Sequence, residues 1–515
     1  MNHSNRLIKN ILSNYAGVLI PSAILLFLTP FMIKKLGVAA YGIWIVANSL
    51  KSYFQVMELG IRTSVIKFIS QYHAADEKKK IEELLSTSFY VFLLIGIISL
   101  FALKIIANFS PDIFKIPPDF SQTIKTIIGI FGINVAIVFL NRILEGALVG
   151  LQRYDLISLL NILSEALNAV LTVLLLLSGF GIISLALLSL FVSVSVFFIQ
   201  LTILKAYYGF GIKLSRFRWQ TIKSILDFSF FSFILEIASK VTAKMDSLII
   251  GIFMPVAAIT NYIIGVKLAS IAEKLTDPMV DIFFPFSSEL SANRDREGLQ
   301  RLLIEGTRSS ALIAFPLVAF LFLSDRAAVA LWVGKEYHKS VIILDIFLMI
   351  SVFTTLEATA SRILLGIGKL RFTAAVSIIS TLVNLFLSLI LIKSLGLKGV
   401  ALGTLIPLSI SSLFLVIPYT CAMINLSVKE LIKRSLIPPL IPIVPVFFFL
   451  IFLNNLLGLE GINKLFVNAA GIFPFYFIIF FKFCLSGEER GFYADMLRDF
   501  LKGKRIFRFF SGEGF

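Results

Sequence analysis

The stretch Leu235–Gly251, LEIASKVTAKMDSLIIG, sets four ionisable side chains, Glu236, Lys240, Lys244 and Asp246, into an otherwise apolar run. At about 100° per residue, a helix carries Glu236, Lys240 and Lys244 along one narrow stripe and turns Asp246 away from it. Glu236 stands one turn before Lys240, the favourable order for a pair, whereas Lys240 and Lys244 repel each other at the same spacing. One positive charge is left over, and an ammonium at membrane depth needs a partner or a wet cavity. Holding an anion is the chemistry open to such a stripe; its structural alternative is a salt bridge to a neighbouring helix. Lys51 and Lys267 fall near the middle of their own apolar runs, so the candidate anion-binding residues are Lys51, Lys240, Lys244 and Lys267. Glu165, which shares a mid-run position with Asn168, is the candidate ion-coupling or charge-pairing group together with Glu236 and Asp246. The three histidines, His3, His73 and His338, lie outside the apolar runs, which excludes a buried histidine relay. Cys421 and Cys484 read as packing residues rather than a disulfide or metal pair, so no metal and no cofactor are expected. Proton or sodium coupling stays open.

The elements that position these groups are membrane helices. The chain of 515 residues is 58% hydrophobic and 15% charged, with a mean hydropathy of +0.93, outside the range of soluble globular proteins. Apolar runs of helical length fill it at 9–33, 41–66, 84–107, 123–148, 156–178, 182–205, 224–253, 257–288, 305–325, 340–365, 372–395, 399–424, 436–457 and 463–484. The expected fold is therefore all-α and polytopic, with about 14 transmembrane helices. Continuous rather than alternating apolarity excludes an outer-membrane barrel, and the first run is too long for a removable signal peptide. Lys and Arg concentrate in the loops that share a side with the N-terminus, among them Lys78–Lys80, Lys205–Lys223, Arg294–Arg301 and Lys429–Arg434. By the positive-inside rule both termini are expected in the cytoplasm, and the formal charge of +16 reflects topology and anionic lipid rather than nucleic acid. The charged segment 71–85 reads as a short surface helix, and Arg142 with Glu145 as a local pair near the inner end of a span.

A repeat orders these runs. LGVAAYGIW (36–44) matches MPVAAITNY (254–262), and DEKKKIEELL (76–85) matches RDREGLQRLL (294–303), both at an offset of 218. Residues 148–168 match 364–384 at an offset of 216, pairing Gly150 with Gly366 and Asn168 with Asn384. Each unit holds six spans, an even number, so the two copies share one orientation, with the cavity expected between the halves. The expected organisation is a six-helix bundle over 1–217, a second over 218–430, two extra helices over 431–487 and a basic cytoplasmic tail over 488–515. Pro278 is expected to bend the eighth span, and the extra pair is read as an element for a lipid or a partner. A phosphate-cradling Gly-x-x-x-x-Gly-Lys-Ser/Thr loop is absent, which excludes P-loop ATP hydrolysis.

Two stretches carry a family resemblance. LTPFMIKKLGVAAYGIWIVANSLKSYFQVMELGI (28–61) resembles the first helical pair of the Wzx-like polysaccharide flippases of the MOP superfamily, and KMDSLIIGIFMPVAAITNYIIGVKLASI (244–271) resembles their seventh and eighth helices. The resemblance implies two six-helix bundles around a cationic cavity of alternating access in the cytoplasmic membrane. It also implies an oligosaccharide cargo on an undecaprenyl-pyrophosphate carrier, with a polysaccharide polymerase and glycosyltransferases as working partners. Lys51, Lys240, Lys244 and Lys267 suit such a pyrophosphate, although lysine offers a point charge where flippases of this type often use arginine. The rival readings are a MATE-type exporter of organic cations, which favours a cavity dominated by acids, and a membrane polymerase or glycosyltransferase. The latter needs a large extramembrane catalytic loop, and the external loops are short.

Overall fold

Where lipid offers the backbone no hydrogen-bond partner, a chain must satisfy itself, and among the described residues every regular element is a helix. A computed structural model describes residues 24, 26–58, 61–151, 153–223, 245–281 and 283–485. Among them are α1 (26–36), α2 (Val38–Phe54), α3 (Ile61–Ala74), α4 (Lys78–Ile113), α5 (Ser121–Gly150), α6 (Tyr154–Leu177), α7 (Ile182–Tyr208), α8 (245–253) and α9 (Ala257–Val280). They continue with α10 (Phe283–Ala292), α11 (Arg296–Leu323), α12 (Asp325–Trp332), α13 (Val341–Gly366), α14 (Leu370–Leu395), α15 (397–423), α16 (428–456) and α17 (461–484). Ten helices among the described residues are long and apolar enough to cross a membrane, against the fourteen runs of the sequence.

The difference has local causes. Most of run 224–253 lies outside the described residues, as does most of run 9–33. Run 41–66 is not one span: α2 stops at Phe54, a 3-10 turn spans Gln55–Glu58, and α3 starts at Ile61. Run 257–288 is likewise divided into α9 and α10, and the interruption follows Val280 while Pro278 itself sits inside the helix. The charged segment 71–85 is not one short surface helix: it holds the end of α3, which stops at Ala74, a turn at 75–77 in which Asp76 takes a φ of 53°, and the start of α4 at Lys78.

The helices group into two compact units, one of Ile24–Tyr262 with Ser377–Val400, the other holding Ile263–Val376 and the described part of Ala401–Phe515. These divisions differ from the expected boundaries at 217/218 and 430/431. One reason lies at the turn before α9, which packs on α2. The Thr260 hydroxyl donates to the Val38 carbonyl at 2.9 Å, and a Cβ added at Gly42 would collide with the Val256 carbonyl.

In the first unit α5 is the central helix. A Cβ on Gly150 would meet Ile66 and Ile69 of α3, one on Gly132 would meet Leu100 of α4, and Phe92 of α4 stacks on Phe139 at 5.6 Å. In the second unit α13 takes the equivalent place, with Gly366 pressed on Ser287 of α10. The glycines that the repeat pairs thus do the same packing work against helices that the repeat also pairs, small residues letting backbones approach.

Cys421 is buried in the apolar core of the second unit, among Leu303, Ile363 and Leu364. The extra pair α16 and α17 packs on α11 in a separate apolar cluster of Ala319, Leu323, Val446, Leu450 and Ile472. Asn454 Nδ2 donates to Asn468 Oδ1 at 2.9 Å, and Asn468 Nδ2 donates to Ser324 Oγ at 2.9 Å, all three side chains buried.

Candidate functional site

Lys51 lies thirteen residues into α2, about 20 Å along the helix from Val38 and in its last turn. It is half-buried. Its Nζ donates to Ser189 Oγ of α7 at 2.9 Å and stands 4.9 Å from the ring centroid of Phe131 on α5. Phe131 is held in turn by Trp44 of α2, ring centroids 5.6 Å apart. No carboxylate pairs with Lys51 among the described residues. A hydroxyl and a ring face stabilise an ammonium without neutralising it, so the charge remains available to an anion.

On the same α5 face the polar character continues. Asn134 donates to the Ser189 carbonyl at 2.9 Å and to Ser193 Oγ at 3.0 Å, and Asn141 donates to the Ser193 carbonyl at 2.9 Å. Four residues beyond Asn141, Glu145 accepts from Arg62 at 2.9 Å and from Arg142 at 2.9 Å. Arg142 Nε also lies 3.6 Å from Glu58, in the turn between α2 and α3. The expected Arg142–Glu145 pair is therefore present as part of a four-member cluster. Its acids are deep, with side chains 7% and 14% exposed for Glu58 and Glu145, against 30% and 36% for Arg62 and Arg142.

The other candidates are dispersed. Glu236, Lys240 and Lys244 lie outside the described residues. Asp246 is buried in α8, and its Oδ2 accepts from the Tyr262 hydroxyl at 2.5 Å, so a phenol partners it. Glu165 is half-buried on α6 and pairs with no lysine among the described residues, while nearby Leu163 and Leu167 are exposed, as on a lipid-facing helix. Lys267 is half-buried on α9, in the second unit. Further along α9, Glu273 accepts from Thr354 at 2.9 Å, and just past its end Asp281 pairs with Arg362 at 2.7 Å. Glu357 accepts from Ser361 at 2.9 Å and from Ser412, which sits in the π-turn Ser411–Val416 of α15. Glu58, Arg62, Phe131, Asn134 and Ser189 went unread in the sequence. Only Asn134, an amide eleven residues before Glu145 and on its face, gave a periodic signal.

Comparison with known proteins places this geometry in context. A family model described as a polysaccharide biosynthesis protein matches residues 34–342, more than half of the chain. A Haloferax volcanii protein named "Probable flippase AglR" is 22% identical over 418 residues, 79% of this chain and 80% of that one. Among solved structures, the lipid II flippase MurJ in an inward closed conformation aligns with a TM-score of 0.65 at 18% identity, covering 94% of this chain and 99% of that one. An inward-facing multidrug resistance MATE family transporter of the MOP superfamily aligns with a TM-score of 0.66 at 17% identity, covering 82% and 96%. The fold is thus that of multi-span helical transporters of this kind.

Proposed function

The chain belongs to the polysaccharide biosynthesis protein family, and from that premise we propose that it translocates a lipid-linked oligosaccharide across the cell membrane by alternating access. The observation that carries this reading is Lys51: a half-buried ammonium held by a hydroxyl and a ring, with no carboxylate beside it among the described residues. A polyprenyl-pyrophosphate head leaving the interface needs such a charge, while its tail stays in lipid and its sugars cross in water. Lys240, Lys244 and Lys267 are proposed as further contacts for the same head, and Glu165, Glu236 and Asp246 as charge-pairing or ion-coupling groups. Support for the cargo class comes from the relative named a flippase. The likenesses to the lipid II flippase and to a MATE exporter concern fold alone and do not discriminate between cargoes; a cation carrier is better served by an acid than by Lys51. A polymerase and glycosyltransferases are proposed as working partners, with both termini in the cytoplasm.

The test is replacement of Lys51 by Ala, Met and Arg in cells that need the surface polymer, with membrane levels of the protein measured. Ala and Met variants are expected to lose export and to accumulate the lipid-linked precursor on the inner leaflet, and Arg to retain part of it. Full export by both neutral variants at normal levels overturns the reading, as does drug efflux without any effect on polymer.

A further inference from the structure

The setting of Lys51 is determined by a side chain that acts on it through Ser189. Ser189, which receives the ammonium, belongs to α7, and Asn134 of α5 fixes that part of α7. Asn134 is fully buried. Its Nδ2 donates at once to the Ser189 carbonyl at 2.9 Å and to Ser193 Oγ at 3.0 Å, and Ser193 Oγ donates back to the same carbonyl at 3.0 Å. A carbonyl oxygen only accepts, so the amide nitrogen is the atom that faces α7. Asn141, two turns further on the same face, repeats the arrangement on the Ser193 carbonyl at 2.9 Å. The buried oxygens Oδ1 of Asn134 and of Asn141 have no hydrogen-bond partner among the described residues. An unpaired buried acceptor lowers stability, and two helices that only had to adhere would do so better with leucine at both positions. The polar groups therefore answer a need other than adhesion.

We propose that Asn134 is a positioning residue for the anion site: it locks the Ser189 hydroxyl where the Lys51 ammonium is held over Phe131, and it does so without bringing a charge. This rests on the reading of Lys51 as the contact for the substrate's phosphate oxygens. Asparagine suits the task because its amide donates to α7 and stays neutral. Aspartate has the same size but cannot donate when ionised, and it places a carboxylate one hydrogen bond from Ser189, close enough to compete with the substrate for the ammonium.

The experiment uses the purified full-length protein and two probes with one tail, a polyprenyl pyrophosphate and the uncharged polyprenol, binding being measured for wild type, Lys51→Ala, Asn134→Asp, Asn134→Leu and Ser189→Ala. Lys51→Ala and Asn134→Asp are expected to weaken pyrophosphate binding about tenfold or more, the value of a charge-assisted hydrogen bond. Asn134→Leu and Ser189→Ala are expected to weaken it about threefold to tenfold, with lysine kept but released. Polyprenol binding is expected to stay at the wild-type level throughout, and Asn134→Asp to add no loss in a Lys51→Ala background. Wild-type pyrophosphate binding by Asn134→Asp and Ser189→Ala, with Lys51→Ala defective, overturns the positioning role and leaves the Lys51 reading intact. Wild-type binding by Lys51→Ala overturns that reading itself. Equal loss of both probes in the Asn134 variants means a merely structural role and also overturns the proposal. Ser189→Ala, which removes one partly exposed hydroxyl, decides the matter should the buried Asn134 variants fail to fold.

Discussion

Glu145 accepts from two arginines, one on each carboxylate oxygen, and a sequence reading finds only the nearer of them. Arg142 was legible because three residues on a helix bring side chains together. Arg62 was not, since 83 positions separate it from Glu145 and the turn after α2 brings it there. The same asymmetry holds at Lys51. Its place within an apolar run follows from counting, but nothing distinguishes Phe131 among 51 phenylalanines until the helices are packed. Glu145→Ala should leave two guanidiniums without their shared acceptor. Because both are partly exposed, the expected loss is about 2–3 kcal/mol, at or below the low end for a buried pair, read as a lower melting temperature in detergent. Asn141→Leu removes a buried acceptor whose lack of a partner costs about 1–3 kcal/mol, so its melting temperature should equal or exceed that of wild type.

At the scale of elements, hydropathy locates helices but not their interruptions. Runs 41–66 and 257–288 are apolar enough throughout to read as single spans, yet in each the α-helix stops, at Phe54 before the 3-10 turn Gln55–Glu58 and at Val280. The first of these puts Glu58 beside Arg142, a tertiary requirement that no window average registers. Close helix contact was more legible, because the repeat already paired Gly150 with Gly366, and both proved to be points where backbones meet. Gly150→Leu and Gly366→Leu should each force neighbouring helices apart and cost about 2 kcal/mol or more, visible as loss of folded protein in fluorescence-detected size exclusion. Gly129→Ala, where an added Cβ meets nothing within 4 Å, is the control and should be neutral or slightly stabilising.

For the whole molecule, the all-helical, multi-span fold was readable from composition. The division by packing was not, because it joins Ser377–Val400 to a unit that otherwise ends at Tyr262. The extra helices α16 and α17, which read as a separate appendage, share a buried asparagine network and an apolar core with α11 and Ser324. Asn468→Leu should strand the polar groups of Asn454 and Ser324 and lower stability by about 2 kcal/mol, measurable by thermal melting. Compartment-sensitive reporters fused to either end should both report the cytoplasm, as the lysine and arginine distribution requires. The meeting of Gly42 with the Val256 carbonyl has a bearing on descent. Only one of the twenty amino acids lacks a β-carbon, so wherever related chains keep this approach the site admits a single occupant. A lineage that has exchanged that glycine for a bulkier residue must also have rebuilt the turn opposite, and the two changes should be inherited together.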